Sequence, residues 1–116
     1  MGNSTLEVLE GLGHIRKWRR SNLSAYESPV AYDLIICLAI QFASGEKFTV
    51  KQLFASLPHS YTAVRQHYRQ LLSDGLIRCI PSEKDGRIKH IEPSDDFILL
   101  VDTYAQEVVK TFPLRP

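Results

Sequence analysis

Gly75 marks a change of hydrophobic period that few folds accommodate. Before it, Val64, Tyr68, Leu71 and Leu72 recur at helical spacing, which predicts a helix over about 61–73. Ser60 can cap the start of that helix. Gly75 closes it where a left-handed residue is wanted. After the glycine the pattern alternates. Leu76-Ile77-Arg78-Cys79-Ile80 and Arg87-Ile88-Lys89-His90-Ile91 read as two short strands. Residues 81–86 join them into a hairpin with Asp85-Gly86 at its far end.

Upstream, the spacing is helical throughout. Thr49 caps a short helix over about 49–57 with Val50, Leu53, Phe54 and Leu57 on one face, broken by Pro58-His59. Ser28-Pro29 opens a longer helix, about 29–43, that is apolar on nearly every side and is expected to be the most buried element; Ser44-Gly45 stops it. An N-terminal helix over about 4–19 is predicted from the capping-box spacing Ser4-x-x-Glu7 and the stripe Leu6, Leu9, Leu12 and Ile15. Gly11 and Gly13 each cost it about 1 kcal/mol relative to Ala. Residues 20–28 read as a polar linker, and Ser94-Asp95-Asp96 starts a last helix over about 94–112. The predicted fold is mainly α with a small β-hairpin (α+β), in the order α-α-α-α-β-β-α. A short helix–turn–helix directly before a hairpin is the order of a winged helix–turn–helix. The expected organisation is an N-terminal helix and linker (1–28), a winged domain (29–93) and a C-terminal helix (94–116).

Composition excludes several function classes. With 116 residues the chain has the length of one domain. Cys37 and Cys79 make neither a disulfide scaffold nor a CxxC pair, and both are expected to be buried. The four histidines have no ligand spacing, so no metal and no cofactor is expected. No Ser-His-Asp order, paired catalytic carboxylates or phosphate loop stands out, and the chain does not read as an enzyme. The longest apolar run, Leu34–Ile40, is far short of the roughly 20 residues that span a bilayer, and the first twelve residues lack a signal-peptide pattern. The expectation is a soluble, cytoplasmic protein without a membrane partner.

Net charge is only +1, but it is unevenly spread: residues 14–20 carry +4 and residues 60–91 carry +3, against −3 over 92–116. A nearly neutral chain can therefore present a basic face. Opposite the packed stripe of helix 61–73 lie Thr62, Gln66, Arg69 and Gln70, with Arg65 on the flank: hydroxyl, amide and guanidinium groups and no carboxylate. Such donors suit base edges and phosphates. Lys84 and Arg87 put two cations at the hairpin tip, where Arg87 can enter a minor groove. Asp85, two residues earlier, can hold that guanidinium through a charge-assisted bond.

Leu71-x-x-x-Gly75-Leu76-Ile77 followed by Asp85-x-Arg87-x-Lys89-x-Ile91-x-x-Ser94 resembles the end of the recognition helix and the wing of the MarR family of bacterial transcription regulators. The resemblance covers roughly 48–105. It implies a homodimer, held by its terminal helices, that binds palindromic double-stranded DNA and often releases it when a small aromatic ligand binds. It places recognition-helix contacts at Ser60, Thr62, Arg65 and Gln66 and the wing contact at Arg87. The full candidate DNA-contact set is Ser60, Tyr61, Thr62, Arg65, Gln66, Arg69, Lys84, Arg87 and Lys89, with Asp85 orienting the wing.

Dimerisation is expected through Leu6, Leu9, Leu12 and Ile15 of the first helix, which lack a partner within the winged domain, and Leu100, Tyr104, Val108 and Phe112 of the last. The other reading of these stripes is that the first helix folds back onto the last helix of its own chain. A different reading is a winged-helix protein–protein module that never touches DNA. The basic run Arg16-Lys17-Trp18-Arg19-Arg20 fits either a phosphate contact or the cationic end of a helix.

Overall fold

The computed structural model describes residues 2–112. The elements are α1 (Asn3–Asn22), a single 3-10 turn (Ser24–Tyr26), α2 (Pro29–Ser44), β1 (Phe48–Thr49), α3 (Val50–Ser56), α4 (Tyr61–Ser73), β2 (Ile77–Pro81), β3 (Lys89–Pro93) and α5 (Asp95–Thr111). Five helices and a small antiparallel sheet form the expected winged helix–turn–helix. Residue 1 and residues 113–116 of the expected terminal segments lie outside the described residues.

The sheet has three strands rather than two, in the order β1-β3-β2. Phe48 pairs with Ile91 and Thr49 with His90, while Ile77 to Pro81 run antiparallel to Pro93 to Lys89. β2 and β3 also begin one and two residues later than the alternation predicts.

Local chemistry sets the helix ends. Ser28 Oγ accepts from the Ala31 N–H (3.2 Å) with Pro29 at the first helical position, and Gly45 ends α2 at φ 76°. Thr49 and Gln52 form a reciprocal capping box at α3 (3.1 and 2.9 Å). Gly75, at φ 73°, lets the chain turn back after α4: its N–H reaches the Leu72 carbonyl (3.1 Å) and the Leu76 N–H reaches that of Leu71 (3.0 Å). Ser94 then ties three elements together. Its Oγ accepts from the Phe97 N–H (3.2 Å), and both its Oγ and its N–H donate to the Leu76 carbonyl (3.0 Å each).

The chain divides into two compact units, Ser28–Leu99 and the segment up to Glu27 with that from Leu100. In the first, Leu34, Leu38, Leu53, Val64, Leu71, Ile77 and Phe97 are almost wholly buried, and Phe42 meets Phe97 edge-on at 5.4 Å. α2 presents one buried face (Ala31, Leu34, Ile35, Leu38) rather than an apolar surface buried all round, because Ile40 is 61% exposed. Cys37 and Cys79 are half-buried, not core.

In the second unit α1 has a partner from its own chain. Trp18 stacks on Tyr104 of α5 at 5.6 Å, and His14 Nε2 lies 2.7 Å from Glu107 Oε1. A Cβ at Gly11 would sit 2.6 Å from the Phe112 ring. Ile15 is buried, whereas Leu6, Leu9 and Leu12 are about half exposed. The expected stripe therefore splits: Ile15 belongs to the interior and the three leucines face solvent. The expected Ser4–Glu7 capping box does not form, since α1 starts at Asn3 after Gly2 with no side-chain cap. Nor are residues 20–28 a plain linker. α1 continues to Asn22, and Leu23 and Tyr26 are buried beyond it.

Candidate nucleic-acid interface

α4 separates its two faces as the sequence implies. Val64, Tyr68 and Leu71 are buried, while Tyr61, Thr62, Arg65, Gln66 and Arg69 are exposed and Gln70 is half-buried. The exposed face carries no carboxylate until Asp74 ends the helix. Ser60 is committed first to structure: its Oγ accepts from the Ala63 N–H at 3.2 Å as the N-cap. Its hydroxyl proton remains available to a further acceptor.

Two side-chain pairs that no local sequence pattern announces fasten α4 to α2. His59, just before the cap, places Nε2 2.7 Å from Asp33 Oδ2. His67, in the second turn, places Nε2 3.4 Å from Ser28 Oγ. Tyr68 lies inward beside Cys79 of β2; burial first, then the neighbouring thiol, pushes its phenol well up, so it stays neutral and acts in packing. Burial likewise pushes the Cys37 thiol up, which disfavours a reactive thiolate there.

The wing loop, residues 82–88, is pinned by its own backbone. The Ser82 N–H donates to the Ile88 carbonyl (2.8 Å) and the Ile88 N–H to the Asp85 carbonyl (3.0 Å). Asp85 Oδ1 accepts from the Arg87 N–H (3.0 Å) and Nε (3.2 Å), and Oδ2 from Nη2 (3.4 Å). The Arg87 N–H, then its guanidinium, holds the Asp85 carboxyl below the usual carboxylate range. The Arg87 side chain nevertheless remains 92% exposed, a cation held in direction but open to a phosphate or a groove. Lys84 and Lys89 are exposed beside it. Arg78 instead braces the sheet, donating to the Pro93 carbonyl (3.3 Å) and lying 3.7 Å from Glu92.

Between the start of α4 and the base of the wing lies a recess of about 650 Å³ lined by Thr49, Val50, Lys51, Phe54, Tyr61, Arg87, Ile88 and Lys89. It brings together Tyr61, Arg87 and Lys89 from the candidate set. It also adds Lys51, which sequence reasoning misses because that residue lies on α3, outside both motifs.

The expected dimer residues lie in the other unit. Leu6, Leu9 and Leu12 are exposed; Leu100, Val108 and Phe112 are half-buried; Ile15 and Tyr104 are engaged within their own chain. In the basic run, Arg19 faces Glu27 (3.9 Å), whereas Arg16, Lys17 and Arg20 are exposed. Among the described residues no group of three His, Cys, Asp or Glu side chains could hold a metal ion, and no helix is long and apolar enough to cross a membrane.

No protein-family model matches the sequence, and no curated protein matches it. Solved structures do resemble its fold. A MepR mutant from a multidrug-resistant S. aureus clinical isolate superposes with a TM-score of 0.64 at 19% identity, over 97% of this chain and 84% of that one. A MarR mutant from E. coli complexed with operator DNA gives 0.59 at 15% identity, over 90% and 73%. The heme sensor protein PefR from Streptococcus agalactiae, in complex with heme, gives 0.55 at 13% identity, over 96% and 79%. At these identities the likeness is one of fold.

Proposed function

We propose that this chain is a sequence-specific double-stranded DNA-binding transcription regulator of MarR type. The observation that carries the proposal is the pairing of two surfaces in one unit: the carboxylate-free outer face of α4 and the Arg87 guanidinium held outward by Asp85. In this reading the segment 60–74 enters the major groove, where Thr62, Arg65, Gln66 and Arg69 offer donors to base edges and phosphates. The wing, 81–87, reaches the adjacent minor groove, where Arg87 meets concentrated negative potential. The likeness to a regulator complexed with operator DNA supports the same use of the fold.

The proposed active form is a homodimer. Leu6, Leu9 and Leu12 on α1 and Val109 on α5 leave apolar side chains in water, which a second copy would cover across a two-fold axis. Two recognition helices would then address successive turns of a palindromic site.

Titration of a mixed-sequence duplex at rising salt tests this function. A dimer using three or four cations per subunit gives a log–log slope of about −5 to −7. No binding, or binding indifferent to salt, refutes it in favour of a protein-docking module.

A further inference from the structure

We infer that Tyr61 reads thymine, placing its ring against the 5-methyl group in the major groove. The inference rests on the DNA-binding reading above and assigns one residue a specific role within it.

Tyr61 combines exposure with rigidity. It is the first residue of α4, directly after the Ser60 cap, and 64% of its surface is in water. Its ring is nonetheless held. It packs on Phe54 at 4.9 Å with a 37° tilt, and Phe54 meets the buried Tyr68 edge-on at 5.7 Å. Three rings thus run from the core to the surface and deliver the outermost one to the start of the recognition helix. Because packing already restricts its rotamer, little side-chain entropy remains to be lost on binding.

The surroundings select the ligand chemistry. The recess beside the ring has apolar walls, Val50, Phe54 and Ile88, with the cations Lys51 and Lys89 among its lining. A DNA major groove matches both parts, since phosphates flank it and its one apolar base feature is the thymine methyl. N-terminal residues of a recognition helix are those that reach base edges. A surface that only shielded Phe54 would not distinguish thymine from uracil, and this difference provides the test.

Wild-type protein would be used to enrich duplexes from a pool with a random core. Each thymidine of an enriched duplex would then be replaced singly by 2′-deoxyuridine. We expect one position per half-site at which the missing methyl weakens binding about fourfold. Tyr61→Ala should bind the thymidine and deoxyuridine versions equally, and Tyr61→Phe should keep the discrimination, with circular dichroism confirming the fold of both. The inference is overturned if no deoxyuridine position weakens the wild type, or if Tyr61→Ala still discriminates. Loss of discrimination in Tyr61→Phe also overturns it, because the hydroxyl and not the ring face would then be the reader. Failure to enrich any duplex instead overturns the DNA-binding function itself.

Discussion

Gly11 and Gly13 sit two residues apart in α1, and replacing each by alanine should move stability in different directions. Alanine is better than glycine in a helix interior by about 1 kcal/mol. At Gly13 that gain stands alone, because a new Cβ meets nothing within 4 Å. At Gly11 the Cβ would lie 2.6 and 2.7 Å from two carbons of the Phe112 ring and 3.1 Å from Thr111 Cγ2. Carbon atoms in good contact stand about 3.5–4.0 Å apart, so the ring must withdraw by roughly 1 Å. Forcing extra volume into a packed site costs about 1–3 kcal/mol. Gly13→Ala is therefore expected to gain about 1 kcal/mol, which raises Tm by roughly 4 °C. Gly11→Ala should come out between neutral and about 2 kcal/mol destabilised. Thermal and urea unfolding at one fixed protein concentration measure both, since association would otherwise shift the midpoint. Adding Phe112→Ala to Gly11→Ala should remove the steric cost of the alanine. Equal stabilisation by the two alanines would refute the packing of α1 on the α5 of its own chain.

The wing supplies a pH prediction. Because the folded Asp85 carboxyl is lowered, its contribution is fully present above the unfolded carboxylate pKa and is lost as pH falls through the folded value. An NMR titration should place the Asp85 midpoint below that of an ordinary aspartate. Arg87→Ala should raise it only part of the way, because the backbone N–H of residue 87 still donates to the carboxylate; an unmoved midpoint contradicts the guanidinium contact. The two surfaces proposed to face DNA should also separate. Gln66→Ala is expected to blur sequence preference by about 1–3 kcal/mol per lost base contact, whereas Arg87→Ala should weaken binding on most duplexes. Equal losses from both variants on every sequence would contradict this division. Finally, Leu9→Glu should convert a dimer to a 13.2 kDa monomer in sedimentation equilibrium with the helical signal retained. A wild-type chain already monomeric at micromolar concentration rejects the dimer.

The parts of the fold that are legible in the sequence are those set by neighbouring residues. Ser60, the Val64–Tyr68–Leu71 stripe and Gly75 specify α4 locally, and the structure returns 61–73. The Asp85–Arg87 contact spans two positions and is equally readable. What escapes depends on distant partners. β1 has only two residues, too few for an alternating pattern, and exists because Ile91 and His90 pair with it. The strands also run on past their expected ends at Ile80 and Ile91, to Pro81 and Pro93, which look like breakers. β2 is an edge strand, where a missing N–H is tolerated, and Pro93 lies beyond the reach of β1. An apolar stripe shows that a face is covered but not by which copy, so Ile15 and Tyr104 look like interface residues although their own chain uses them. The Phe54–Tyr61 contact and the Asp33–His59 pair are invisible for the same reason.

The pairing of Phe48 with Ile91 also sets an order of folding events. That contact brackets α3, α4 and the β2 strand within one chain loop, whereas β2 and β3 close only the short wing loop between Pro81 and Lys89. Closing a longer loop costs more chain entropy, growing as the logarithm of its length. The hairpin can form early on local contacts, but β1 gains from docking only after α3 and α4 have brought its ends together. The two-residue strand is then a late latch on the helix–turn–helix, and because Phe48 and Ile91 are both buried, releasing it would open the core beneath the recognition unit as well as the sheet.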